Sequence, residues 1–178
     1  MKKIILIALL IFSFFSPASA VSDAYLMIGA SNAARGVAAA SFTQETGVKV
    51  IICAKGNTGL KYWNNSIAYR RCINSAKGYN IIGLLFVNGE YEAKYGGSWA
   101  IQFPALVAKL EASFGKDLPV AFVRAHAGFP GVYLAQVRAD QEASEGCMVN
   151  VDDLTLDSYW HYDTPSAVII GQRLAACR

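Results

Sequence analysis

Ala24-Tyr25-Leu26-Met27-Ile28 is a run of five apolar residues, and it stops at Gly29-Ala30-Ser31-Asn32. A strand that is apolar at every position is covered on both faces, the habit of strands in a parallel sheet. Four more runs, apolar but for Lys49 and Asn150, follow: Val48 to Ala54, Ile81 to Val87, Val120 to Val123 after Pro119, and Met148 to Val151. Helical stretches lie between them. They are expected at Tyr62 to Ala76, at Ser98 to Phe114, at Val132 to Ser144 and at Thr164 to Ala176. Ser98 and Thr164 are suited to N-caps, Gly115 and Gly146 follow helix ends, and Pro165 fits a first helical position. Pro104 is expected to kink its helix. Strands alternating with helices give an α/β fold, a five-stranded parallel sheet flanked by helices.

In such a sheet ligands bind beyond the carboxyl ends of the strands. Here those ends read Gly29-Ala30-Ser31-Asn32, Lys55-Gly56-Asn57-Thr58, Asn88-Gly89-Glu90, Arg124-Ala125-His126 and Asp152-Asp153. Polar residues and glycines gather along this one edge.

The first twenty residues stand apart. Lys2 and Lys3 precede the apolar run Ile4 to Phe15, and Pro17-Ala18-Ser19-Ala20 closes it with a small-x-small pattern. This is the layout of a cleaved secretory signal peptide, and the apolar run is short of the ~20 residues that span a bilayer. Removal of residues 1–20 leaves 158 of 178, one domain over 21–178, secreted or periplasmic and with no membrane anchor. Repeats, low-complexity tracts and dividing linkers are not seen. The basic count falls to 14 against 13 acids, too even for a nucleic-acid or anionic-membrane partner.

Cys53, Cys72, Cys147 and Cys177 all lie in the exported part. An even number in an oxidising compartment points to two disulfides. A metal site is disfavoured, because no two cysteines are close together and only two histidines exist. Three pairings are open. Cys53–Cys72 and Cys147–Cys177 are favoured, because each joins a strand edge to the next helix. Nothing in the sequence asks for a cofactor.

Ser31 follows the first strand where a helix can begin, so its hydroxyl lies near free backbone N–H groups able to stabilise a developing anion. Ser31 or Asn32 could equally be a plain helix cap. His161, in Asp157-Ser158-Tyr159-Trp160-His161-Tyr162-Asp163, precedes the last helix, where a loop can return it over the first strand's end. Histidine is the usual base for a serine nucleophile because it titrates near neutrality. The G-x-S-x-G elbow is missing.

Several segments together resemble the SGNH hydrolases, in particular the sialate O-acetylesterase-like (SASA) branch. They are Gly29-Ala30-Ser31-Asn32; Gly56-Asn57-Thr58-Gly59-Leu60 with Trp63; Val87-Asn88-Gly89-Glu90; Val137-Arg138-Ala139-Asp140-Gln141; and His161-Tyr162-Asp163 with Gly171-Gln172-Arg173-Leu174-Ala175. The resemblance implies a three-layer α/β/α sandwich of flavodoxin-like form and an ester-cleaving mechanism. It implies Ser31 as nucleophile and His161 as base. It also implies an oxyanion hole from Asn88 and backbone N–H groups of Ser31 and of Gly56 or Asn57. The family often has Asp three residues before the histidine; Ser158 stands there, with Asp157 one residue earlier. Asp157 is the expected partner of the ring, with Asp153 or a backbone carbonyl as alternatives. Asn57 stands where the family has glycine, and Ala30 where it has Gln.

Glu90, His126 and Trp63 are candidates for substrate contact. Glu90 has a second reading, holding a loop by accepting hydrogen bonds, and aromatics such as Trp63 more often pack a core. Glu90 and Glu92 are too close together for a glycosidase pair. The expected substrate is a carbohydrate O-acetyl or similar small ester. The competing readings are a non-catalytic carbohydrate-binding module on the same fold and a flavodoxin-like nucleotide binder, which would need a phosphate-binding glycine loop.

Overall fold

Ser22–Gly29 (β1) is buried from Ala24 onward, because it is flanked by strands on both sides and covered by helices on both faces. In this computed structural model, which describes residues 21–178, β1 pairs in parallel with Lys49–Ala54 (β2) and with Tyr79–Val87 (β3). Val120–Val123 (β4) and Cys147–Val149 (β5) extend the parallel sheet to the order β2-β1-β3-β4-β5. The expected signal segment 1–20 lies outside the described residues.

The helices are α1 (Ser31–Ala34), α2 (Val37–Thr46), α3 (Leu60–Asn64), α4 (Ser66–Ser75), α5 (Glu90–Tyr95), α6 (Trp99–Phe114), α7 (Leu134–Glu142) and α8 (Thr164–Ala175). α2 packs on α8 on one side, while α3, α6 and α7 form a contiguous layer on the other. The architecture is therefore a three-layer α/β/α sandwich. A small antiparallel hairpin, Leu156–Ser158 (β6) with His161–Tyr162 (β7), lies between β5 and α8.

The core of the α6 side is aromatic. Trp99 stacks on Phe103, and Phe103 meets Phe86 and Phe122 edge-on. Burial of such rings is the main driving force holding the layers together. Disulfides join Cys53 to Cys72 and Cys147 to Cys177, tying edge strand β2 to α4 and the other edge strand, β5, to the end of α8.

Three local expectations are revised. The stretch from Tyr62 to Ala76 is two helices. Asn65 between them is extended, and its side chain caps α4 by accepting from the Ile67 N–H. α2 was not expected at all: its face is mostly alanine, so it carries little amphipathic signal, although Gly36 and Gly47 bracket it. α7 ends at Glu142 with Ala143 as its C-cap, three residues short of Gly146.

Candidate active site

The order β2-β1-β3 sets the position of the site. The chain leaves β1 toward β2 on one side and later crosses back to β3 on the other. Loops from the carboxyl ends of β1 and β3 therefore diverge and leave a crevice between them. Ser31 leaves β1 into that crevice and Asn88 leaves β3 into it.

Gly29 is what brings the turn close. A Cβ built there would lie 2.2 Å from the Ala33 Cβ and 2.5 Å from the Val87 carbonyl oxygen. No side chain fits, so the backbone can pass β3 and start α1 at once. Ser31 is the first residue of α1, and its N–H is one of those a helix start leaves without an intrahelical acceptor.

His161 arrives from the β6–β7 hairpin, 130 residues away in sequence. Its Nε2 lies 2.9 Å from Ser31 Oγ. Its Nδ1 lies 2.9 Å from Ser158 Oγ. If Nε2 accepts the Ser31 proton, Nδ1 must carry the ring hydrogen and donate it to the Ser158 oxygen.

Asp157 is not the group on the ring. It pairs with Arg35 at 2.7 Å, and that guanidinium holds its carboxyl below the usual range. Arg35 also donates to the Tyr162 carbonyl, so the pair fastens the hairpin to the segment after α1. Asp153, the other candidate, is engaged by Arg173. A charged acid was available at each position, but a guanidinium is the stronger competitor for it than a neutral imidazole.

The second wall of the crevice is the loop after β2. Lys55 N–H donates to the Gly29 carbonyl, and Thr58 Oγ1 donates to the Lys55 carbonyl, closing a turn. Gly56 sits against Ser31, with its Cβ position 3.8 Å from the Ser31 Cβ. Asn57 takes a left-handed φ of 56°, which asparagine tolerates better than most residues. Asn88 is buried, and neither its amide nitrogen nor its amide oxygen has a hydrogen-bond partner among the described residues. Such an orphaned amide asks for an explanation, and a ligand oxygen would supply one.

The three substrate-contact candidates are all buried. Glu90 is wholly buried and accepts from the Asn32 amide, and burial pushes its carboxyl up to about 7. His126 is buried with both ring nitrogens used: Nδ1 accepts from Gly128 N–H, so Nε2 carries the hydrogen and donates to the Leu154 carbonyl. Trp63, on α3, is buried, edge-on to Tyr62. The aromatic rings that flank His161 instead are Tyr159, well exposed, and half-buried Trp160, with Lys94 5.6 Å from the Trp160 ring.

The Val137–Gln141 segment also proves structural. Arg138 grips the Asp152 carboxylate with two nitrogens and donates to the Ala125 carbonyl; Gln141 accepts from Ala125 N–H and donates to the Val123 carbonyl. Together they lock the loop after β4. Among the described residues no group of three or more His, Cys, Asp or Glu could hold a metal. A groove of about 600 Å³ between α6 and α7 includes Leu118 and Val120, at the opposite end of β4 from this edge, and holds none of these residues.

Asn32 and Ser158 are the functional candidates that motif reading passed over. Asn32 reads as a helix cap, and Ser158 as a missing acid. The signal for each was its place, beside Ser31 and three residues before His161.

Comparison with known proteins is in keeping with this geometry. A family model described as a carbohydrate esterase, sialic acid-specific acetylesterase (SASA), matches residues 29–177. No curated protein matches the chain in sequence. Among solved structures, a candidate SGNH hydrolase from Slackia heliotrinireducens superposes with a TM-score of 0.67 at 12% identity, over 88% of this chain and 98% of the other. The lipase/acylhydrolase from Enterococcus faecalis gives 0.57 at 12% identity, over 87% and 94%. The psychrotrophic esterase EstA from a Pseudoalteromonas species gives 0.59 at 14% identity, over 86% and 95%. At these identities the likeness is one of fold.

Proposed function

The chain belongs to the SASA family of carbohydrate esterases, and from that premise we propose that it is a secreted serine esterase that removes O-acetyl groups from a carbohydrate or similar small ester. The observation that carries this reading is the 2.9 Å contact between Ser31 Oγ and His161 Nε2, made across 130 residues and beside Gly56.

In the proposed reaction His161 Nε2 takes the Ser31 proton as Oγ attacks the acyl carbonyl. The oxyanion forms between the Ser31 and Gly56 or Asn57 N–H groups and the Asn88 amide nitrogen. His161 then returns the proton to the leaving alcohol oxygen, and the acyl group remains on Ser31. A water, deprotonated by His161, attacks that ester and frees acetate and enzyme. Ser158 accepts from Nδ1 throughout. A hydroxyl orients the ring but carries no charge to balance the imidazolium, so the centre is a dyad with a neutral third group.

We assign residues 1–20 as a cleaved signal and 21–178 as one catalytic domain. Supporting export, both disulfides are formed. Mass spectrometry of the exported protein should find Val21 at its N-terminus; a chain retaining Lys2 and Lys3 would contradict this. Hydrolysis of a chromogenic acetate, with Ser31→Ala as control, tests the activity. A folded wild-type protein that binds acetylated sugars without cleaving them would favour a binding module instead.

A further inference from the structure

Placing an imidazole for proton transfer takes more than one hydrogen bond. The Ser158 contact fixes the ring's rotation, but the ring is carried by the peptide units on either side of His161. Those units belong to a hairpin whose second strand is two residues long. Something else must hold them, since a displacement of ~1 Å at a catalytic group can cost on the order of 10²-fold in rate.

The Asn32 side chain reaches both. Its Nδ2 donates to the Trp160 carbonyl at 3.0 Å, and its Oδ1 accepts from the Tyr162 N–H at 3.2 Å. The second Nδ2 hydrogen goes to the carboxyl of Glu90. Every polar position of the amide except one oxygen lone pair is thus in use, and the side chain is buried. Its orientation is unambiguous: Tyr162 N–H can only donate and the Trp160 carbonyl can only accept. Asn32 is also the residue next to Ser31, on the same short helix.

We propose that Asn32 is a positioning residue, whose amide fixes the peptide units on both sides of His161 to the helix that bears Ser31. The proposal rests on the reading of Ser31 and His161 given above. Nucleophile and base are then registered against each other through one dipeptide: Ser31 meets the ring and Asn32 meets its backbone. Aspartate would keep the acceptor for Tyr162 but lose both donors and set a carboxylate against Glu90. Alanine would lose all three bonds.

The test uses the mature protein, whose two histidines give two readable imidazole rings by 1H–15N NMR. In Asn32→Ala the His161 ring signals should move and those of His126 should stay. On a chromogenic acetate kcat should fall by roughly 10–100-fold, with KM changed less than about threefold. Asn32→Asp should do the same, and it serves if the alanine variant does not fold. In the unmodified protein the Tyr162 amide hydrogen should exchange slowly. A folded variant with His161 signals and kcat unmoved would overturn the proposal, as would fast exchange at Tyr162. The NMR readings do not depend on turnover, so a wild-type protein without activity would sink the esterase reading while the role of Asn32 was still decided.

Discussion

The third group on the base is a hydroxyl, and that sets what Ser158 substitutions should do. Ser158→Ala removes the acceptor from Nδ1 and should lower kcat several-fold with KM little changed, because the ring loses orientation and the substrate loses nothing. Ser158→Asp should match or exceed wild-type kcat, since a carboxylate at that position would both orient the ring and stabilise its charged form. Asp157→Ala should change kcat less than Ser158→Ala, because Asp157 is held by Arg35 and touches Ser158, not the ring itself. Steady-state kinetics of the three variants checks the ordering; a collapse in Asp157→Ala with Ser158→Ala unaffected would make Asp157 the partner after all. At this scale the sequence was readable for placement: Ser31 and His161 meet, and Asn88 stands at the end of the neighbouring strand. It said nothing of burial, which takes in Glu90, His126 and Trp63. Those sit in the right loops, but their side chains turn inward, and burial is a property of packing that a motif does not state.

The elements were legible where they advertise themselves. The five strands are largely apolar runs, and the Ser98 cap of α6 was read correctly, Ser98 accepting from Ile101 N–H; on α8 the cap is Asp163, which accepts from Ser166 N–H, and the expected Thr164 is the first helical residue. α2 was not legible, because its alanines serve close approach to α8 and not a broad apolar stripe. Gly171 shows how close. A Cβ there would lie 2.4 Å from the Ala38 carbonyl oxygen and 2.9 Å from the Phe42 nitrogen. Backbone atoms cannot step aside singly, so Gly171→Ala should destabilise by about 1–3 kcal/mol and lower Tm by roughly 3–10 °C. Thermal unfolding followed by circular dichroism measures this; an unchanged Tm would mean that the two helices are not locked at this point. The β6–β7 hairpin was equally hidden. It is too short to show a strand pattern, yet it delivers His161.

Over the whole molecule, the cost of the site should be visible as a pH dependence of stability. Burial raises the Glu90 carboxyl from 4.5 to about 7, with the neighbouring Glu92 adding to the rise and the Asn32 bond opposing it. Between those values the folded protein holds a proton that the unfolded chain has released, so stability falls as pH rises through that window and levels off above it. The loss is on the order of 3 kcal/mol. Asp152, held down to about 2 by Arg138, has the opposite sign but acts below pH 4, outside the window. Burial raises the Glu92 carboxyl too, with the same sign, so Glu90→Gln, an uncharged side chain of the same shape, should make the fall between pH 5 and 8 shallower without abolishing it. Urea unfolding at both pH values checks this, and an identical slope in wild type and variant would contradict it. A parallel sheet flanked by helices was readable from alternation, and the three-layer sandwich from the family resemblance. The strand order that opens the crevice between β1 and β3 was not, because pairing depends on contacts far apart in the chain.

The most direct test is hydrolysis of a chromogenic acetate by wild type, Ser31→Ala, His161→Ala and the double variant, with folding of each verified. If Ser31 is the nucleophile and His161 its base, wild type turns over. Each single variant then loses nearly all activity, and the double variant is little worse than either, because the two groups act as a unit. Wild-type turnover that survives in folded Ser31→Ala, or no turnover at all on acetyl esters, would contradict it.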